Sequence, residues 1–160
     1  MRKSEAGNVY AVILVGGKGK RLRPLSTDKR PKAFLSIMRD GKTMFGRTVE
    51  RISRIIPESN IVVVANASHA RLVKKDFKGI KKDNLLLEPV SRNTGPAVAY
   101  ASSVLNARDT DAVLVVLPAD HYITRTKDYL NVLRCGIDFA EENEAVVAIG
   151  IDPKFPSTEY

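Results

Sequence analysis

The sequence has one cysteine, two histidines and no long apolar run, and each scarcity excludes a class of protein. The single Cys135 cannot form an internal disulfide, and neither His69 nor His121 stands near it at a zinc-ligand spacing. No stretch approaches the roughly 18 apolar residues of a membrane-spanning helix, and the N-terminus lacks the apolar core of a secretory signal. We therefore predict a cytoplasmic protein outside the membrane, with Cys135 in the core.

The composition excludes several non-globular classes. Hydrophobic residues make up 44% and charged residues 28% of the 160 residues, close to the average of globular proteins. Disordered, collagen-like and coiled-coil chains have other compositions. A domain of this length can bury about 70% of the surface of its unfolded chain. We predict a single globular domain without repeats.

The net charge of +8 is concentrated in one segment. Between residues 16 and 32, seven basic residues face one acidic residue, Asp28. The basic residues are Lys18, Lys20, Arg21, Arg23, Lys29, Arg30 and Lys32. A basic protein can bind nucleic acid, an anionic membrane or a small phosphorylated molecule. Because the charge is confined to one loop and aromatic residues are only 6%, a local anion site is favoured over nucleic acid and over a solvated face.

Five short apolar runs predict strands that are buried on both faces. They lie at residues 9–15, 61–65, 85–87, 112–117 and 145–149. Helical spacing predicts helices between them, at 44–56 with Thr43 as N-cap and Pro57 as the stop, at about 69–77, from about Pro96 to 107, and at about 127–143. Strands that alternate with helices indicate an α/β fold with a mainly parallel sheet and helices on both faces.

The loop after the first strand is rich in glycine and basic residues. In α/β sheets ligands bind at the carboxyl ends of the strands. The backbone N–H groups of Gly16, Gly17 and Gly19 can turn toward a polyphosphate, to which Arg21 and Lys32 would add charge. The spacing matches neither a P-loop nor the dinucleotide fingerprint. A glycine turn with incidental basic residues is the alternative, but the repeat of basic residues at a second proline favours a triphosphate cradle.

The loop after the third strand suggests a base-binding site. Glu88 offers only acceptors, which suits the N–H groups on the Watson–Crick edge of guanine. Asn93, with the backbone at Thr94 and Gly95, could complete the contacts to base and ribose, and close approach of a base would explain the missing side chain at Gly95. An ion pair of Glu88 with Arg92 is an equally good interpretation from the spacing alone.

The loop after the fourth strand contains a candidate metal ligand. Asp120 follows this strand, where a carboxylate can hold Mg²⁺ against phosphate oxygens. Its neighbour His121 is better interpreted as a packing or hydrogen-bonding residue than as a ligand.

Taken together, the three loops resemble those of the sugar-nucleotide pyrophosphorylases. The resemblance rests on residues 16–26, 30–32, 88–89, 92–97 and 118–121, and it extends from about Val9 to Tyr160. The first segment is shared by many sugar nucleotidyltransferases. The segments Arg-Asn-Thr-Gly-Pro-Ala and Pro-Ala-Asp-His are more particular to the guanylyl branch, the mannose-1-phosphate guanylyltransferases.

The resemblance implies a Rossmann-like nucleotidyltransferase fold and the reaction of GTP with mannose 1-phosphate, giving GDP-mannose and pyrophosphate by in-line attack on the α-phosphorus. It also implies roles for individual residues. Arg21 would bind the departing pyrophosphate, Lys32 the α-phosphate region, Gly16, Gly17, Gly19 and Lys20 the triphosphate, Asp120 the Mg²⁺ cofactor and Glu88 the guanine, with Asn93, Thr94 and Gly95 beside it.

Members of this family continue for well over a hundred further residues, which supply the sugar contacts and a second metal carboxylate. We therefore expect residues 1–160 to be the nucleotide-binding, N-terminal part of the catalytic domain, weakly active or inactive alone. A homodimer is one option for the assembly. Two alternatives remain: transfer from UTP, dTTP or ATP to another sugar 1-phosphate, and a non-catalytic nucleotide-binding regulatory module.

Overall fold

A computed structural model describes residues 7–17, 22–27, 29–38, 40–90 and 92–151 of the chain. Its centre is a parallel sheet of four strands in the order β3-β2-β1-β4. The strands are β1 Val9–Val15, β2 Ile61–Asn66, β3 Leu85–Glu88 and β4 Val113–Pro118. The first four predicted strands and the parallel α/β architecture are thereby confirmed.

Helices connect the strands at the predicted places. They are α1 Met44–Ile52, α2 Ala70–Asp76, α3 Thr94–Asn106 and α4 Thr126–Asn143. The predicted N-cap of α1 is confirmed, because the hydroxyl oxygen of Thr43 accepts a hydrogen bond from the N–H of Gly46 at 3.0 Å. The regular part of α1 ends at Ile52, and the chain continues in turns before Pro57.

The helices cover the two faces of the sheet unequally. Helices α1, α2 and α4 contribute to one core cluster with alternate residues of β1, such as Ala11 and Ile13. Helix α3 packs on the other face, where Ala101 and Leu105 meet Val12. The core thus holds β1 from both sides, which explains why its sequence is apolar without alternation.

Two sequence predictions are wrong. Residues 145–149 do not form a strand: α4 ends with Glu144 in the left-handed conformation, at φ 49°, and Val146 in the following segment is fully exposed at 102%. An apolar run becomes a strand only where a neighbouring backbone pairs with it, and none of the described residues does so here. Cys135 is exposed on α4 and is not a core residue.

None of the helices in the described part of the chain is both long and apolar enough to cross a membrane.

Candidate functional site

The carboxyl ends of the four strands lie at one edge of the sheet. Leu14 near the end of β1 is paired with Pro118 of β4, and the N–H of Ala119 donates to the carbonyl of Leu14 at 3.2 Å. At the other side of the sheet, Asn66 of β2 is paired with Glu88 of β3. The three loops singled out in the sequence therefore all leave from the same edge.

The glycine turn after β1 forms an open surface at this edge. Gly16 and Gly17 are exposed, and a Cβ atom on either would meet no other atom within 4 Å. Gly17 has φ +99°, a conformation that favours glycine. Space for a ligand thus remains above the end of β1. The other predicted members of this cradle, Gly19, Lys20 and Arg21, lie outside the described residues.

Lys32 and Asp120 meet at the same edge. The Nζ atom of Lys32 lies 2.9 Å from Oδ2 of Asp120, and their side chains are 37% and 31% exposed. Lys32 begins a short 3₁₀ turn whose next residue but one, Phe34, is buried and packs edge-on against Phe45 of α1 at 5.8 Å between ring centroids. The core therefore anchors the backbone from which Lys32 reaches the Asp120 carboxylate.

A polar contact from α1 supports the loop that carries Asp120. The buried hydroxyl of Thr48 donates to the carbonyl of Met44 at 3.1 Å, and its oxygen lies 3.5 Å from the carbonyl oxygen of Ala119. The same oxygen accepts a hydrogen bond from Nη2 of Arg51 at 3.0 Å. Sequence reasoning placed Thr48 on the apolar face of a helix without giving it this role. A hydroxyl on an otherwise apolar face was the available signal.

Arg51 is itself buried and lies against an aromatic ring. Its guanidinium carbon is 5.4 Å from the ring centroid of Tyr129 on α4. Burial lowers the pKa of Arg51, because removal from water disfavours the charged form. Burial likewise raises the pKa of Tyr129, while the positive charge of Arg51 acts in the opposite direction. The pair ties α1 to α4 beneath the Asp120 loop.

The loop after β3 leads into the N-terminus of α3. Glu88 is half-buried at the end of β3, and Asn93 precedes the helix with φ 69° and ψ −170°. This region of backbone space is populated almost only by glycine, and a non-glycine residue there stores strain of about 1–3 kcal/mol. Asn93 does not cap the helix with its side chain, and Thr94 and Gly95 are exposed in its first turn. The unpaired N–H groups of a first helical turn attract acceptors and anions.

Gly95 has no steric reason within the described residues to be glycine. A Cβ atom at this position would meet no atom within 4 Å. The open space beside the helix N-terminus is therefore available to a ligand, as the sequence led us to expect.

The described residues contain no group of three or more His, Cys, Asp or Glu side chains that could hold a metal ion by themselves. Asp120 offers one partly exposed carboxylate, and its neighbour His121 is exposed. Mg²⁺ is typically held by one or two carboxylates together with substrate phosphates and water. The donor set at Asp120 therefore fits a magnesium ion that arrives with a nucleotide.

Comparisons with known proteins agree with this site. The family model for "Nucleotidyl transferase" matches residues 10–160. The chain is 40% identical over 154 residues to a mannose-1-phosphate guanylyltransferase of Salmonella muenchen, covering 93% of this chain and 32% of that protein. It is 37% identical over 153 residues to a mannose-1-phosphate guanylyltransferase of Escherichia coli, with the same coverages. The chain thus spans about a third of the length of these curated relatives.

A similar fold occurs in a crystal structure from Thermus thermophilus, whose printed name is mannose-1-phosphate geranyltransferase. The TM-score is 0.74 at 35% sequence identity, and the match covers 84% of this chain and 39% of that one.

Proposed function

Because the chain belongs to the nucleotidyl transferase family, we propose that its protein transfers the guanylyl group of GTP to mannose 1-phosphate, giving GDP-mannose and pyrophosphate. The observation that carries this proposal is the contact of Lys32 with Asp120 at 2.9 Å, beside the open glycine turn after β1. The names of the relatives support the choice of substrates. We place the reaction in the cytoplasm, where GTP is available.

The proposed reaction is a direct displacement. A phosphate oxygen of mannose 1-phosphate forms a bond to the α-phosphorus of GTP, while the bond from that phosphorus to the bridging oxygen breaks and pyrophosphate leaves with the electron pair. No covalent intermediate with the protein is required. The protein therefore acts by holding the two phosphates in line and by neutralising charge as it develops.

Lys32 is the group that we assign to the α-phosphate. Its ammonium is half-exposed and already held at the sheet edge by Asp120, so it is oriented before substrate arrives. A positioned cation stabilises the crowded negative charge of the transition state without having to reorganise. The amides of Gly16 and Gly17 would receive the neighbouring phosphates, and Arg21 the departing pyrophosphate.

Asp120 would hold Mg²⁺ together with phosphate oxygens of the nucleotide. When bound, the ion supplies additional positive charge against the triphosphate. Asp120 would then have two cationic neighbours, Lys32 and the metal, which keeps its carboxylate ionised.

Guanine would lie between Glu88 and the start of α3. The carboxylate of Glu88 accepts from the ring N–H and amino group of guanine, a pattern that adenine and uracil do not present. The open space at Gly95 would let the base approach the backbone. Contacts to mannose are assigned to parts of the protein after residue 160.

The proposal is tested in the whole protein by measuring pyrophosphate release and GDP-mannose formation with Mg²⁺. We expect Lys32→Met to lower kcat by about 10²–10³-fold, the effect of removing one positioned charge from a transition state. Lys29→Met is the matched control, because Lys29 is an exposed lysine of the same segment. Equal turnover in the two variants would remove Lys32 from the mechanism.

The nucleotide is tested by comparing GTP with ATP, UTP and dTTP. We expect GTP to be preferred, and Glu88→Gln to reduce the preference by about tenfold, because a hydrogen bond to a charged group is lost. A preference for another triphosphate would replace guanylyl transfer with a different sugar nucleotidyl transfer. Nucleotide binding without transfer would instead favour the regulatory module.

A further inference from the structure

A second concave surface lies on the outer side of α1, next to the residues that follow Asp120. It is a cavity of about 140 Å³. It is lined by Lys42, Arg47, Glu50, Arg51, Arg54, Tyr122, Ile123 and Thr126. Four of these side chains are cationic and one is a carboxylate. The cavity is distinct from the glycine turn and from the loop after β3, neither of which lines it.

The buried cation in this lining has no anionic partner in the described part of the chain. Arg51 is only 8% exposed, and its hydrogen-bond acceptor there is the neutral hydroxyl of Thr48. No carboxylate of the described residues forms an ion pair with it. A buried charge is costly unless it is paired, so a counterion at this guanidinium would be strongly favoured.

The nearby carboxylates already have other partners. Glu50 accepts from the ammonium of Lys42 at 2.7 Å, and the pKa of Glu50 is lowered mainly by this hydrogen bond. Asp40 pairs with Nη2 of Arg47. The Nε atom of Arg47 is nevertheless buried without a hydrogen-bond acceptor among the described residues. Arg47 and Arg51 therefore retain donor capacity beside the exposed Arg54.

We propose that this cavity binds one small tetrahedral oxyanion of the phosphate type. Arginine is suited to this ligand, because its planar fork of N–H donors matches phosphate oxygens. Arg47 would donate through Nε, while Arg51 and Arg54 add charge and donors from the same helix. The volume is that of about five water molecules in the liquid, which admits a phosphate group and excludes a whole nucleoside triphosphate.

The site bears on the Asp120 loop. Tyr122 and Ile123 of the lining come just after Asp120 in the chain, and Arg51 contacts Thr48, which lies against Ala119. The anion would thus settle the charge of a side chain on which this loop rests. The proposal does not depend on guanylyl transfer, since it rests only on the residues around the cavity.

The test is a titration of the whole protein with inorganic phosphate, followed by calorimetry and by the NMR signals of the arginine Nε–H groups. Lys32→Met is introduced throughout to weaken phosphate binding at the nucleotide cleft. We expect saturable binding of one phosphate, with a shift and slower solvent exchange of the Arg47 Nε–H signal, because this proton gains an acceptor.

Variants on the exposed rim separate the site from general charge. Arg54→Gln should weaken the phosphate affinity by about tenfold, and Arg47→Gln by at least as much, because each loses a charge-assisted donor. Arg71→Gln, on the exposed surface of α2 away from the cavity, is the matched control and should leave the affinity unchanged.

The outcomes are decisive in both directions. Non-saturable binding, or equal weakening by Arg71→Gln and Arg54→Gln, would overturn the proposal. An Arg47 Nε–H signal already protected without phosphate would also overturn it, because another part of the protein would then fill the site. Phosphate binding that persists in a protein without guanylyl transfer would refute the proposed reaction and leave this site standing.

Discussion

Lys32 and Asp120 form an ion pair that joins the loops after β1 and β4 at the carboxyl edge of the sheet, with 2.9 Å between Nζ and Oδ2. Both side chains are about one-third exposed. Ion pairs open to solvent contribute about 0.2–1 kcal/mol to stability. The pair is therefore better explained by what it holds ready at this edge than by its contribution to the fold.

This explanation separates stability from turnover in a double-mutant cycle. We expect Lys32→Met, Asp120→Asn and the double variant to unfold within about 1 kcal/mol of one another, because a partly exposed pair is screened by water. Urea unfolding measures this. Turnover should fall strongly in each single variant and little further in the double variant, because both groups act on the same phosphates. Additive losses of turnover would show that they act independently.

The hydroxyl of Thr48 is predicted to stabilise the packing between α1 and the Asp120 loop. Thr48→Val keeps the shape but leaves the buried Nη2 of Arg51 without its acceptor, and this should cost about 1–3 kcal/mol. Thr48→Ser retains the hydroxyl and should recover part of the loss. The urea midpoint at constant m-value is the measurement. Equal stability of the Val variant and the unmodified protein would contradict the role of this hydrogen bond.

The strained backbone at Asn93 predicts opposite effects on stability and on nucleotide affinity. Asn93→Gly should raise the free energy of unfolding by up to about 1–3 kcal/mol, because glycine adopts φ 69° and ψ −170° without strain. If the side-chain amide contacts the nucleotide, KM for GTP should rise in the same variant. Asn93→Ala is the control, since it removes the amide without relieving the strain. A Gly variant less stable than the Ala variant would argue against the strain.

Tyr129 is predicted to make stability fall at alkaline pH. Its pKa in the folded protein is raised by burial above the usual 10.0, so the unfolded chain loses the phenolic proton first. The contribution is therefore complete below about pH 10 and is lost as the pH rises through the folded-state pKa. Tyr129→Phe should flatten the decline measured by urea unfolding between pH 9 and 11. Tyr100→Phe, at an exposed position, is the control and should keep the decline.

The fold was predictable wherever burial alone decides the structure. Strand β1 was predicted with its observed bounds, because residues covered on both faces must be apolar throughout. The cap at Thr43 was predictable because capping is a local hydrogen bond. The run at 145–149 has the same apolar character as β1, but strand formation requires a partner backbone that no local pattern reveals.

The site was predictable where chemistry follows a strand end. Asp120 and Lys32 were chosen for their residue types and positions, and the structure brings them into contact. Their individual roles stay predictions, as do those of Gly19, Lys20 and Arg21 outside the described residues. Thr48 and Arg51 were not foreseen as supports, because their partners Ala119 and Tyr129 come from distant parts of the chain.

The position of β1 in the sheet has a consequence for how the site opens. β1 lies between β2 and β4, and Ala11, Val12 and Ile13 are fully buried, whereas no described strand pairs with the outer side of β4. Amide protons of a central strand exchange with solvent only when the whole domain unfolds, and those of an outer strand exchange through smaller openings. Gly16 is thus tethered to the slowest-exchanging part of the molecule and Asp120 to a more readily frayed one, so a nucleotide that spans both would protect the backbone of β4 far more than that of β1.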